Sequence, residues 1–243
     1  KFSRAGRFPT SWVGPRAFKI SCLSFSLSLM GFLTGQAADA ALLWEIGQPD
    51  GDNREFALAP AGFGQFQEDA AFFVGESAAE RDWPYAQPGP VDLWAGGRSH
   101  TFLVVFGLKD TPPAGEARLQ VKLLDTHSGA PPQLEFRLND ALVQRSLAAG
   151  AGDESIRGQF AQGKPRAFEI VFPAGTLKSG ENQLAITTTA GSWLLYDWLA
   201  LETPAGAALA PVPNRTLVTG VVGVRALKEV QGNLFHPVAV SIR

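Results

Sequence analysis

Trp83-Pro-Tyr85 and Trp94 stand in a stretch rich in Gly and Pro (residues 75–98), with Arg81, Asp82, Asp92 and Arg98 around them. Flat rings stack on the apolar C–H faces of sugars, and nearby polar groups bind the hydroxyls. A ring in a loop has less core to fill than a ring in a strand. Trp83, Tyr85, Trp94 and Arg98 are therefore the expected carbohydrate contacts. Trp83 has a second reading, as a plug at the end of a packed core. Trp44, Tyr196 and Trp198 lie within apolar strands and read as core, and Trp193 divides between the two roles.

The loop Asp50-Gly-Asp-Asn-Arg-Glu55 places oxygen ligands at alternating positions. Asp50 and Asp52 there are candidate ligands of a structural calcium ion, a hard cation that takes six to eight oxygens. The loop departs from an EF-hand, with no Gly at the sixth position and no Glu at the twelfth. The competing reading is a turn closed by its own Asp and Asn side chains. Beyond calcium, no cofactor is expected.

Other chemistry is sparse. The sequence has no HExxH, no P-loop and no GxSxG, since Gly75-Glu-Ser77 runs on into Ala-Ala. Gly62-Phe-Gly64 lacks the third Gly of a dinucleotide fingerprint. His100, His127 and His236 fall on three separate segments and read as surface histidines. The one Cys, Cys22, lies in the leader, so the rest of the chain has no disulfide and no thiolate site. A formal net charge of −2 with scattered Lys and Arg gives no nucleic-acid footprint.

The elements that must hold these residues are strands. Apolar content is 45%, enough for a packed core rather than a disordered chain. Arg118-Leu-Gln-Val-Lys-Leu123 sets Leu119, Val121 and Leu123 on one face and Arg118, Gln120 and Lys122 on the other. Such alternation marks a half-buried strand. Leu134-Glu-Phe-Arg-Leu138 repeats it, and Asn139-Asp140 then predicts a hairpin into Ala141-Leu-Val. Thr101–Phe106 is a continuous apolar run, as a central strand is. Residues 76–82 and 153–162 have room for a short helical turn each. Many strands with Gly/Pro turns predict an all-β sandwich or jelly-roll.

The segment Ala190-Gly-Ser-Trp-Leu-Leu-Tyr-Asp-Trp-Leu-Ala-Leu-Glu202 reads as the closing strand, covered on both faces. Its period puts Tyr196 and Trp198 on one side and Leu195 and Leu199 on the other. Asp197 then needs partners, and the backbone amides of a neighbouring turn are expected. With Leu43–Phe56, Phe73-Val-Gly-Glu-Ser77 and Asp82-Trp-Pro, this segment resembles the third domain of rhamnogalacturonan lyases (polysaccharide lyase family 4). The resemblance covers roughly residues 42–203. It implies a jelly-roll, galactose-binding-like sandwich related to carbohydrate-binding modules. It also implies a plant-type (pectic) polysaccharide as partner. In those lyases the catalytic residues belong to another domain, so none transfers to this sequence.

Arg16 and Lys19, the apolar run from Ile20 to Leu33 and the small residues at Gln36-Ala-Ala-Asp-Ala40 form a signal-peptide pattern. An uncleaved anchor helix is the competing reading, against which the run falls short of the ~20 residues of a span. Residues 1–40 are thus read as leader, the protein as secreted or periplasmic, and no membrane association is expected after cleavage. Residues 41–203 form the sandwich and 204–216 a Pro/Ala-rich linker. Residues 217–243 hold two strands, too few to bury a core. They either pack back on the sandwich or, as preferred, open a truncated further β-domain. The expected function is a noncatalytic carbohydrate-binding module of a secreted polysaccharide-degrading protein. The alternatives are a structural or adhesion sandwich without sugar affinity, or the front of a lyase or glycoside hydrolase.

Overall fold

The computed structural model describes residues 40–212, 218–223 and 226–242. The expected leader with Cys22, and the linker residues past Val212, lie outside them.

Eleven strands build two antiparallel-dominated sheets. The first has the order β1 (Ala40–Gly47), β10 (Leu194–Pro204), β5 (Glu116–Thr126), β8 (Arg166–Pro173), with β3 (Ala86–Gln87) also on β10. The second has the order β11 (Leu209–Ala210), β4 (His100–Leu108), β9 (Gly180–Ala190), β6 (Gln133–Leu138), β7 (Ala141–Ser146), with β2 (Ala71–Phe73) parallel to β4. Among the described residues the one α turn, α1, spans Ala79–Asp82. The described residues are thus nearly all β, and residues 40–212 form a jelly-roll sandwich.

Alternation does what the sequence predicts. Leu119, Val121 and Leu123 of β5 are buried, and Gln120 and Lys122 face outward. Leu134, Phe136 and Leu138 of β6 meet them from the second sheet, with Phe102, Val104 and Phe106 of β4 and Leu184 and Ile186 of β9. Each such side chain contributes ~1.5–3 kcal/mol by leaving water. Asn139, at φ 49°, turns β6 into β7 as expected.

The closing strand is central, paired with β1 on one edge and β5 on the other. Its alternation, however, breaks. The register to β5 shifts between Leu195 and Tyr196 and again before Trp198. Tyr196 therefore points inward along with Leu195, and Trp198 turns outward to intermediate exposure. There its indole N–H donates to Glu45 Oε2 at 3.0 Å, and the Lys122 ammonium lies 5.3 Å from its ring. Expecting Trp198 in the core was wrong; two bulges spend the period that would have put it there.

The start of the expected linker is also part of the sandwich. Leu209 and Ala210 pair with Leu108 and Gly107, and Val212 is buried. The first and last long strands meet at their ends, where Ala40 lies opposite Pro204. Further on, β12 (Val218–Gly223) pairs with β15 (Val238–Ile242), and β13 (Lys228–Val230) with β14 (Asn233–Phe235). Among the described residues no sandwich strand pairs with these four.

Candidate functional site

Five connections converge at one pole of the sandwich. The pairings His100↔Thr188 and Leu194↔Thr126 set the start of β4 beside the end of β9, and the start of β10 beside the end of β5. Gln87 ties the two sheets there. Its Nε2 donates to the carbonyls of His100 (3.0 Å) and Ile186 (2.7 Å), and its Oε1 accepts from the Tyr196 hydroxyl at 2.5 Å. A cavity of about 240 Å³ opens between these loops, lined by Phe63, Asp92, Trp94, His127, Asp153, Ile156, Arg157 and Trp193.

Trp94 rides on a 3-10 turn, Leu93–Ala95, and keeps a partly exposed ring. Phe63 and Phe66 brace it edge-on at 5.2 and 6.1 Å. Asp92 anchors this loop from below. Its Oδ2 accepts from the Gly89 amide at 2.7 Å, and its Oδ1 from the Ser192 hydroxyl. The two loops approach so closely that a Cβ on Gly89 would stand 2.5 Å from the Gly191 carbonyl oxygen. Asp92 and Ser192 thereby fix Trp94 relative to Trp193 across the cavity.

The opposite wall is the long loop between β7 and β8. Asp125, fully buried, holds it through Oδ1 to the amides of Ala151 (2.9 Å) and Lys164 (3.2 Å) and Oδ2 to the Ser155 hydroxyl (2.6 Å). At Gly150 a Cβ would fall 1.7 Å from the Thr126 carbonyl oxygen, so only glycine lets the loop pass. Arg157, Asp153 and Glu154 are exposed on this loop, with Arg157 4.0 Å from Asp153 and 3.8 Å from Glu154.

Of the expected contacts, only Trp94 lines the cavity. Trp83 and Tyr85 are corrected to core, since both are 0% exposed and offer no face to a ligand. Trp83 packs against Phe72, Phe102 and Tyr196 at ring distances of 6.2, 5.2 and 5.4 Å. The Tyr85 hydroxyl donates to the Ile156 carbonyl at 2.6 Å, and burial pushes its pKa far up. It thus supports the wall without reaching the ligand. Arg98 is outside the cavity, paired with Asp69 through both nitrogens at 3.2–3.3 Å. His100 is not a surface residue: it is wholly buried, and its Nδ1 lies 2.6 Å from Asp69 Oδ1. Burial alone would raise the Asp69 pKa; the bonds from His100, the Thr101 amide and Arg98 outweigh it and hold the carboxyl below its ordinary value.

The residues that sequence reasoning missed, His127, Asp153 and Arg157, sit in turns with no local pattern. Trp193 carried a signal, a Trp at the first position after the Gly191-Ser192 turn. It is buried, with its ring 5.6 Å from His127, nearly edge to face.

Asp50, Asp52 and Glu55 bring carboxylate oxygens within 4.8 Å of one another. Their donor type suits a hard cation. Several of these oxygens are already used: Asp50 Oδ1 by the Asp52 amide, both Asp52 oxygens by Arg54, Glu55 Oε1 by the Gln48 amide. Three carboxylates fall short of six to eight ligands, so backbone oxygens and water would have to complete a calcium shell. Asp197 stands beside this loop, and its Oδ1 accepts from the Gly51 amide at 2.9 Å. The expected turn amide is therefore its partner.

A larger cavity of about 510 Å³ at the outer face of β6 and β9 is lined by Arg137, Asn139, Asp140, Lys178, Glu181, Gln183 and Ala185. It has no ring on which a sugar could stack, which leaves the cavity beside Trp94 as the better site.

Residues 42–201 match the family described as CBM-like, polysaccharide lyase family 4, domain III. A rhamnogalacturonate lyase of Dickeya dadantii (strain 3937) is 27% identical over 229 residues, covering 83% of this chain and 38% of that protein. The chain therefore spans well under half of that relative's length. Among solved structures, a family 35 carbohydrate-binding module from an environmental isolate shares 14% identity, with a TM-score of 0.35 over 70% of this chain and all of that one. The CBM35 from Cellvibrio japonicus Abf62 shares 13% identity, with a TM-score of 0.31 over 74% of this chain and 95% of its own.

Proposed function

The chain belongs, through residues 42–201, to the family of CBM-like third domains of polysaccharide lyase family 4, and from that premise we propose that it binds a pectic polysaccharide without cleaving it. The domain is carbohydrate-binding-like rather than catalytic. The Dickeya relative bears the name of a rhamnogalacturonate lyase, which makes rhamnogalacturonan the first glycan to try. The chain acts, on this reading, as the binding part of an exported polysaccharide-degrading protein.

One observation carries the proposal: a cavity walled by Trp94, Trp193 and Phe63, with Arg157, Asp153 and His127 among its lining groups. Rings supply the stacking surface and the polar groups supply hydroxyl partners. At about 240 Å³ the cavity is smaller than the ~300–1,000 Å³ that encloses a drug-sized ligand. It suits one ring of a chain rather than a long segment. A site of this make-up gives a Kd of ~0.1–1 mM, about 4–5.5 kcal/mol.

Calorimetry against rhamnogalacturonan, galactan and xylan oligosaccharides tests the proposal. Binding to a pectic glycan is expected, with Trp94→Ala weakening it at least tenfold. Binding that survives Trp94→Ala would move the site elsewhere. No heat with any glycan would favour a structural sandwich.

A further inference from the structure

The imidazole of His127 is held in one tautomer by its own turn. The Ala130 backbone N–H donates to His127 Nδ1 at 2.8 Å. An amide N–H can only donate, so Nδ1 must be bare, and the ring proton of the neutral imidazole lies on Nε2. Asp153 Oδ1, at 3.9 Å from Nε2, is beyond hydrogen-bond reach. The side chain is 27% exposed and lines the cavity with Trp94 and Trp193. A directed N–H donor therefore lines the cavity with no acceptor within hydrogen-bond reach among the described residues.

The turn that fixes this tautomer also fixes the cavity wall. The His127 amide donates to the Trp193 carbonyl at 3.0 Å, and the Ser192 amide donates to the Ala130 carbonyl at 2.8 Å. A proton added to Nδ1 would remove the acceptor of the Ala130 amide and set two N–H groups against each other. The charged groups around the ring are Asp153, Arg157 and Glu154 from the long loop and Asp92 from the Trp94 loop. Asp153 is the one close to Nε2, and Arg157 lies 4.0 Å from Asp153 and 3.8 Å from Glu154. Asp125, two residues back on β5, is turned away to Ala151, Ser155 and Lys164.

We infer that His127, as a neutral imidazole, donates its Nε2–H to the bound sugar, and that protonating the ring releases the sugar. The inference rests on the proposed glycan site. By linkage, bound glycan lowers the proton affinity of His127 by the same factor that the proton lowers glycan affinity.

The experiment uses the full chain and the rhamnogalacturonan oligosaccharides. Ring ¹⁵N NMR of His127 at neutral pH reads the tautomer directly; a proton on Nδ1 in the free protein would overturn the inference. Calorimetry across the range in which histidine changes charge, ~pH 5–8, should show affinity falling along the same curve as the His127 ring signals. His127→Asn keeps a short side-chain acceptor for the Ala130 amide and removes the outer donor. It should bind about tenfold more weakly and lose the pH dependence. Unchanged affinity in His127→Asn, with binding still lost in Trp94→Ala, would sink this inference alone. A wild-type chain that binds no glycan at any pH would sink both readings.

Discussion

Tyr85→Phe keeps the ring packing and removes only the bond to the Ile156 carbonyl. It should cost about 1 kcal/mol of stability and weaken glycan binding several-fold, because Ile156 lines the cavity. Denaturant unfolding and calorimetry on the same variant check the pair; lost stability with intact affinity would limit Tyr85 to the core. The ionisable residues give two opposite pH signatures. Asp69 titrates lower in the folded chain than unfolded. Its contribution is present at neutral pH and disappears as pH falls through its folded titration, so Asp69→Asn should flatten the acid limb of the stability curve. Glu55 and Asp197 are raised, first by burial and then by the charge of Asp50. Their ionisation costs stability as pH rises through their folded values. Asp50→Asn should therefore stabilise the protein near neutral pH. Millimolar calcium should raise the melting temperature of the wild type and not of Asp50→Asn if the loop takes the ion; equal melting curves with and without calcium would leave it a turn closed by its own side chains. Trp94 was legible because Gly and Pro surround it. Trp83 and Tyr85 share that surrounding, but α1 and β3 tuck them under the sheet, and no local pattern announces a tuck.

At the scale of elements, the strands were the most legible part of the chain. The alternation in β5 and β6 and the Asn139 turn come from neighbours in sequence, and these placed them correctly. The bulges of β10 do not, because they answer to the register of β5 across the sheet. That is why Trp198 was misread. Partly exposed, with a Lys122 contact and one bond to Glu45, it should lose only ~1–2 kcal/mol on Trp198→Ala. Urea unfolding decides this: a loss near the ~3–5 kcal/mol of a buried Trp would mean that the bulges do not turn it outward. The β7–β8 loop was illegible for the same reason. Its shape is set by Asp125, more than twenty residues upstream of Ala151.

For the whole molecule, the leader reading remains a proposal with a simple check. N-terminal sequencing of secreted protein should begin near Ala38 or Ala41, and an intact leader in a membrane fraction would contradict export with cleavage. The sandwich itself was foreseeable from its pattern, whereas its site was not. Loops from five places in the chain meet at one pole, and only the fold brings His127, Trp193 and Arg157 to Trp94. The pairing of Ala40 with Pro204 has a consequence at the other pole. Strand β10 runs from the cavity to that pair, roughly 33 Å at ~3.3 Å per residue. Residues 40–212 thus begin at Ala40 and end through β11, which lies on the last residues of β4, both at the pole remote from the cavity. Geometry of this kind makes a detachable cassette: spliced into another protein's surface loop, it would hang by both ends from one pole with its mouth pointing away from the host. Such a graft should keep the glycan affinity of the parent chain.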